Sequence, residues 1–408
     1  MKERFNQLPI WPCWRVKGTG KTYPNLQEAA LSVGALTVNK NHRLIRRSDP
    51  EKEPVYRKYG EQIEAGGFTR GTFFNEIEVV LKDVPAGIRS LYGRKPGEKK
   101  IEVGYLAELG VKALEEAVVS QWDSQKIHIM PHSSGYDSRL ISAMLMRLAE
   151  RNGIEWLGEM RFVCWEPEIR YFRKLMDYMG WPEHFVCPVK EKSGPVDYYR
   201  EILDFDFIGK IYCESERVWA GPALGRKWMK ENGLDETRCE GITGLFGDES
   251  MKWHRLNWGK VSYLVACYLF ENPSPWLGSD IPFMAPFVSE PWLDLITRYR
   301  MGCGLDDFKL SMIQIIDPEL NNLNRFPNFR FVAGPIMQQH RAHPFQMLSE
   351  NTVDTCRKRF VQAGGDPKTL FPDHVFRYYD PANSHYLKMA IFHALEQRGC
   401  TIHGKTEL

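Results

Sequence analysis

Apolar positions along the chain switch between a helical and an extended repeat, and the switches mark the elements. Over residues 105–121 apolar side chains recur at Leu106, Leu109, Leu114, Ala117 and Val118, the spacing of an amphipathic helix. Residues 126–130 (KIHIM) follow as a short β-type run that breaks at Pro131. A loop of small residues leads into a second helix over 138–152. Its stripe is Leu140, Ile141, Met144, Leu145 and Leu148, and Gly153 is its stop. Residues 161–165 (RFVCW) predict another strand, 167–179 a helix opened by Pro167 and closed by Gly180, and 184–189 (HFVCPV) a third strand. A helix over 223–232 and a strand over 238–243 continue the alternation. Strands alternating with helices across short connections predict βαβ units. The expected fold is α/β, with a parallel five-stranded sheet near residues 105–250 and helices on both faces.

The flanks read differently. Residues 1–104 are rich in Pro, Gly and charge and lack sustained periodicity, apart from a short amphipathic helix over 26–33. They are expected to form an N-terminal extension. From about residue 250 the chain reads as mostly helical, with marked segments at 261–270, 290–300 and 308–316. Residues 105–348 group as one domain, and 349–408 as a helical C-terminal segment with a helix over 384–398. No internal repeat or long low-complexity tract interrupts this order.

Composition narrows the function classes. The chain has 408 residues, 43% hydrophobic and 26% charged, which is ordinary for a globular protein. A net charge of +2 argues against non-specific nucleic-acid binding, which needs a broad basic surface. Basic clusters at 42–47 and 94–100 read as solvated loops. The longest apolar stretch, 261–270, is too short to span a bilayer. None of the nine cysteines pairs as CxxC, their number is odd, and no signal segment precedes them. Reduced thiols in a cytoplasm are the expectation.

The stretch from His128 to Arg139, HIMPHSSGYDSR, carries the chemistry. A strand ends, Ser133-Ser134-Gly135 turn tightly, and a helix opens beside Asp137 and Ser138. Small residues let backbone N–H groups approach an anion, and the helix N-terminus adds orphan donors and a positive dipole end. The Ser133 and Ser138 hydroxyls can donate to phosphate oxygens. Asp137 alone would repel phosphate, so its presence suggests Mg²⁺ between them. A plain strand-to-helix turn, with Ser134 and Asp137 capping the helix, fits the same residues. No Gly-Lys-Ser/Thr follows, so this is not a Walker A loop, and no GxGxxG opens a helix after a strand.

This loop resembles the SGGxDS pyrophosphate-binding loop of N-type ATP pyrophosphatases, with their adenine nucleotide α-hydrolase-like fold. Within that group it is most similar to the synthetase domain of asparagine synthetase and β-lactam synthetase. Four further segments line up in order. Thr72-Phe73-Phe74 through Val84-Pro85-Ala86-Gly87 resembles a TFF…PPG segment. Thr243 to Glu249 (TGLFGDE) resembles the TGEGxDE loop, and Ile281 to Leu293 the segment with the PFLD motif. Phe308 to Leu320 resembles a helix closing on a PEEL-like turn, so the resemblance covers residues 70–330.

The resemblance implies an ATP-dependent, AMP-forming ligase. Ser133, Ser134, Gly135, Asp137 and Ser138 would hold the β,γ-phosphates, which leave as pyrophosphate. Asp137 and Asp248 would coordinate Mg²⁺, and Gly244 and Gly247 would let the second loop approach the nucleotide. The backbone at Met130 and from Val163 to Trp165 would border adenine. A carboxylate or carbonyl oxygen of a small-molecule or nucleobase acceptor would attack the α-phosphorus, and ammonia or an amine donor would then attack the adenylate.

The chain departs from that pattern in particular places. The first loop glycine is Ser134, and the glutamate of TGEGxDE is Leu245, which implies different substrate handling or loss of the second half-reaction. The late catalytic lysine has three candidates, Lys309, Arg325 and Arg330. Position 2 is Lys, not the catalytic Cys of the glutaminase, and the region before residue 70 is too short for that domain. Nitrogen would then come from free ammonia, a substrate amine or a separate glutaminase. Two other readings stay open: a nucleobase- or tRNA-modifying ATP pyrophosphatase, and a non-catalytic nucleotide-binding descendant of the synthetase.

Other residues carry paired readings. Glu168 can orient ribose or amine, or simply complement the dipole of its helix, and Glu249 can be a helix-start acid or a second metal ligand. His132 can touch a phosphate or serve only as a turn residue. Trp253, His254 and Arg255 can line an acceptor pocket or be structural. Residues 338–343 contain two histidines without a carboxylate or cysteine at ligand spacing and read as loop.

Overall fold

The computed structural model describes residues 12–42, 52–81, 90–94, 99–132, 135–189, 228–229, 231–244, 247, 260–263, 266, 283–300, 305–323, 350–366 and 381–404. The N-terminal region, which lacks a sustained pattern in sequence, contains a small antiparallel sheet. Its elements are β1 (Pro12–Val16), β2 (Thr22–Tyr23), α1 (Leu26–Val33), β3 (Ala35–Thr37), α2 (Lys52–Glu64), β4 (Thr69–Gly71) and β5 (Ile77–Leu81). The sheet order is β2-β1-β5-β4, with Trp14 of β1 fully buried opposite Val79. Strands β2, β3 and β4, of two or three residues, are too short to show as periodicity. Helix α1 spans the residues expected. Asn25 caps it, its side-chain oxygen accepting from Glu28 N at 2.8 Å while its amide donates to Glu28 Oε1 at 2.9 Å.

The central unit begins with β6 (Lys99–Lys100) and α3 (Val103–Val119). It continues through β7 (Ile127–Pro131), α4 (Tyr136–Asn152), β8 (Glu159–Trp165), α5 (Glu166–Met179), β9 (Val186–Val189) and β10 (Cys239–Ile242). Then come β11 (Phe283–Met284), α6 (Glu290–Arg298), β12 (Tyr299–Arg300), α7 (Leu305–Ile316) and α8 (Pro318–Leu323). The fold is α/β: a five-stranded sheet of order β11-β10-β7-β8-β9, every neighbouring pair parallel, with helices packed against it. Ile129, Met130, Phe162, Val163 and Ile242 bury the sheet interior, the apolar load of strands covered by helices. Gly153 ends α4 at φ 90°, as its place after the apolar stripe predicts. The fifth strand lies outside the window 105–250. It is β11, two residues held by Gly241↔Phe283 and Ile242↔Met284, too short to announce itself.

The chain then returns to its start through α9 (Glu350–Gln362), α10 (Pro381–Gln397) and β13 (Thr401–His403). Strand β13 pairs parallel with β3, and the Phe392 ring of α10 lies 5.5 Å from Phe74. Helix α2 is tied down at Glu64, which accepts from Lys260 Nζ at 2.7 Å and Ser262 Oγ at 2.6 Å. No helix among the described residues is long and apolar enough to cross a membrane. The described cysteines Cys13, Cys164, Cys187, Cys239, Cys356 and Cys400 are free thiols, all buried.

Helix α7 reaches the centre of the unit through one small residue. It packs on α3 and α4. At Gly110 of α3 an added Cβ would stand 2.9 Å from Met312 Sδ and 3.0 Å from Phe308 Cζ. Gly110→Ala would raise helix propensity, yet it forces this contact apart. Overpacking costs about 1–3 kcal/mol and propensity returns only about 1. The variant is expected to unfold at lower denaturant concentration than the wild type, by up to about 2 kcal/mol.

Candidate functional site at the switch point of the sheet

From β7 the chain steps to β8 and β9 on one side, and β10 and β11 lie on the other. The loops leaving the carboxyl ends of β7 and β10 therefore part in opposite directions and leave a crevice. In open parallel sheets that is where ligands bind. Gly135 and Asp137 of the first loop, and Gly244 and Gly247 of the second, sit there.

The first loop enters α4 at Gly135, the N-cap, with φ −69° and ψ 161°. Glycine offers no side chain to the first-turn N–H groups, so no side-chain cap from this residue closes them off. Asp137 falls inside the first turn rather than at the cap position, which removes it from the simple capping reading. An acid there is favoured by the helix dipole. Its carboxylate forms an ion pair with Lys309 Nζ of α7. Lys309 is only 1% exposed, whereas the Asp137 side chain keeps 27% of its surface. Phe308 and Met312, the residues packed over Gly110, neighbour Lys309 on α7.

The second loop closes over the same carboxylate. A Cβ at Gly244 would lie 3.3 Å from Asp137 Cβ, and one at Gly247 would overlap the Asp137 carboxylate itself. Gly247 N donates to Gly244 O at 3.4 Å, and Thr243 N donates to Met284 O at 3.0 Å, which extends the parallel β10–β11 pairing by one residue. Three segments far apart in sequence thus meet at Asp137. The two glycines bring their segment against the Asp137 side chain.

Other expected site residues are placed less directly. Ser138 is buried in the first turn of α4. Met130 and Val163 are buried core side chains, and the Val163 carbonyl accepts the His132 N–H at 3.0 Å. Trp165 ends β8 opposite Val189. Ser133, Ser134, Leu245, Asp248, Glu249, Trp253, His254, Arg255, Arg325, Arg330 and residues 338–343 lie outside the described residues, as does the Glu168 side chain.

His132, which in sequence could touch a phosphate or be a plain turn residue, has its ring turned to the interior. It is 3% exposed, its ring lies 4.5 Å from that of Phe172, and Nε2 is 2.9 Å from Ser142 Oγ. Burial, with the Arg139 charge adding to it, pushes its pKa down to about 3, so the ring is neutral at physiological pH.

Magnesium is the ion the resemblance implies. Mg²⁺ takes one or two carboxylates and completes its shell with phosphate oxygens and water. Asp137, a partly exposed carboxylate at a helix N-terminus, fits that donor chemistry. No group of three or more His, Cys, Asp or Glu gathers among the described residues, so no all-protein metal cage forms there.

A second titratable pair went unnoticed in sequence because strand register alone brings it together. His128 and Glu240 sit opposite each other near the amino ends of β7 and β10, with Nε2 3.8 Å from Oε2, both buried. Burial pushes His128 down to about 3. Burial, then the Asp123 charge, pushes Glu240 up to about 7. Glu240 contributes stability below its unfolded pKa, near 4.5, and loses it as pH rises through 7. His128 contributes stability above its unfolded pKa, near 6.5, and loses it as pH falls toward 3. The two slopes cancel between pH 4.5 and 6.5, where folding moves the proton from His128 to Glu240. Glu240→Gln removes one slope. Urea unfolding should show the variant gaining on the wild type as pH rises from 4.5 to 8, by on the order of 3 kcal/mol.

Compared with known proteins, the chain matches no protein-family model and no curated protein sequence. The fold and the geometry at Asp137 therefore stand on the chain itself: a Rossmann-like α/β domain with a charged pair at its switch point.

Proposed function

We propose that this chain is an ATP-dependent, AMP-forming carbon–nitrogen ligase. One observation carries the reading: the buried Lys309 ammonium meets Asp137 at the N-terminus of α4, beneath Gly244 and Gly247, in the switch-point crevice. A helix N-terminus and a buried cation suit a polyphosphate. A carboxylate in the same place suits a polyphosphate that arrives with a divalent ion. The order of the sequence segments, which resembles the asparagine synthetase-like group, supplies the reaction class.

In this reading the β,γ-phosphates lie over the first turn of α4, against the N–H groups at and after Gly135 and the Ser138 hydroxyl. Asp137 and Asp248 would hold Mg²⁺, which when bound would supply positive charge to offset that of the pyrophosphate leaving group. A carboxylate or carbonyl oxygen of the acceptor attacks the α-phosphorus. The bond from that phosphorus to the α,β-bridging oxygen breaks, and pyrophosphate leaves with the electron pair. Lys309 stabilises negative charge gathering on the phosphates. An amine then attacks the activated carbon, loses a proton, and AMP departs. The nitrogen comes from ammonia or a substrate amine.

A nucleobase acceptor fits the same half-reaction. Leu245 in place of the family glutamate favours the non-catalytic reading, and the Lys309–Asp137 pair favours the catalytic one. Pyrophosphate–ATP exchange tests the proposal: incubation with labelled pyrophosphate, Mg²⁺ and a panel of carboxylates and nucleobases should label ATP with one acceptor class. Exchange with none of them, by protein that binds ATP, would count against adenylation.

A further inference from the structure

His132 combines three features that a filler residue does not need. It directly follows β7, and its N–H is tied to the Val163 carbonyl of β8 at 3.0 Å, so its backbone is fixed to the sheet. Its ring packs beside Phe162 and Phe172, with centroids at 5.8 and 4.5 Å, where an aliphatic side chain would fill the space without burying nitrogen. Its Nε2 meets the fully buried Ser142 hydroxyl at 2.9 Å, and that hydroxyl donates to the Ser138 carbonyl at 3.0 Å. Ser142 has one hydroxyl proton, already given to Ser138, so its oxygen accepts from His132. The histidine is the Nε2–H tautomer, and its hydrogen bond passes through Ser142 to the residue beside Asp137.

We propose that His132 is a positioning residue for the anion-binding turn. It couples the carboxyl ends of β7 and β8 to the first turn of α4 through the chain His132 Nε2–H, Ser142 Oγ–H and Ser138 C=O. Ser142 alone, bonding back to the carbonyl four residues earlier, would leave that turn free to bend. The bond from His132 orients the hydroxyl and fixes the turn against the sheet, so Gly135, Asp137 and Ser138 hold one geometry. This role rests on the reading of the turn as the polyphosphate site.

The two side-chain amides separate this role from packing. Glutamine places its amide nitrogen near the position of Nε2, and asparagine near that of Nδ1. Calorimetric binding of Mg·ATP and of magnesium pyrophosphate should be within about twofold of wild type for His132→Gln. It should be roughly tenfold weaker for His132→Asn and His132→Leu, the scale of one buried hydrogen bond. Ser142→Ala should lose a similar factor, and His132→Leu/Ser142→Ala no more than either single change, because both break one chain. In acceptor-dependent exchange the loss should fall on KM for ATP, with kcat preserved. Equal binding by the Gln and Asn variants, or additive losses in the double variant, would overturn the positioning role while leaving the ATP reading in place. A folded wild-type protein that binds neither ATP nor pyrophosphate would overturn both.

Discussion

Lys309→Met should lower acceptor-dependent ATP turnover about a thousandfold, the scale of removing one preorganised group that stabilises transition-state charge. Methionine keeps most of the stem volume in a position that is 1% exposed, so packing on α3 and α4 survives and the charge alone is lost. The same change leaves the Asp137 carboxylate without the ammonium beside it. Breaking a buried pair from one side costs about 3–5 kcal/mol, and the partial exposure of Asp137 places this case at the lower end. Turnover and stability can be told apart. Asp137→Asn/Lys309→Met replaces the pair by neutral groups and should recover most of the stability while remaining inactive. Recovery of both, or a kcat within tenfold of wild type in Lys309→Met, would remove Lys309 from the chemistry.

Gly247→Ala should cost about a hundredfold in kcat. Its methyl group would occupy the place of the Asp137 carboxylate, so the acid must swing away or the loop must lift. A displacement of about 1 Å at a reacting centre is enough for a hundredfold loss. Gly244→Ala is the internal comparison. Its Cβ would sit 3.3 Å from Asp137 Cβ, a contact relieved by a few tenths of an ångström, and it should lose far less. Single-turnover rates at saturating ATP check both. Equal activity of the two variants would mean that the second loop does not shape the site.

Much of the central unit was legible because its elements are long enough to repeat. The stripe from Leu140 to Leu148 marks α4, and the RFVCW and KIHIM runs mark β8 and β7 to within two residues. The candidate site was legible as two loops, each with small residues and an acid following a strand. What joins them was not. That Lys309 reaches Asp137 depends on how α7 packs across Gly110, where Met312 meets a residue about two hundred positions earlier. His132 illustrates the converse: its neighbours in sequence left a phosphate contact and a plain turn equally open, and its packing with β8 and Phe172 could not be read there. Much of the N-terminal sheet and the β3–β13 pairing were hidden because segments of two or three residues carry no period.

The central claim is cleavage of ATP between its α- and β-phosphates at Asp137 and Lys309. ATP labelled at the α-phosphate, incubated with the protein, Mg²⁺, ammonium or simple amines and a panel of carboxylates and nucleobases, tests it most directly. Labelled AMP that forms only with one acceptor class, and disappears in Lys309→Met, is the expected result. Labelled ADP would contradict it and assign the switch-point site to a kinase or ATPase.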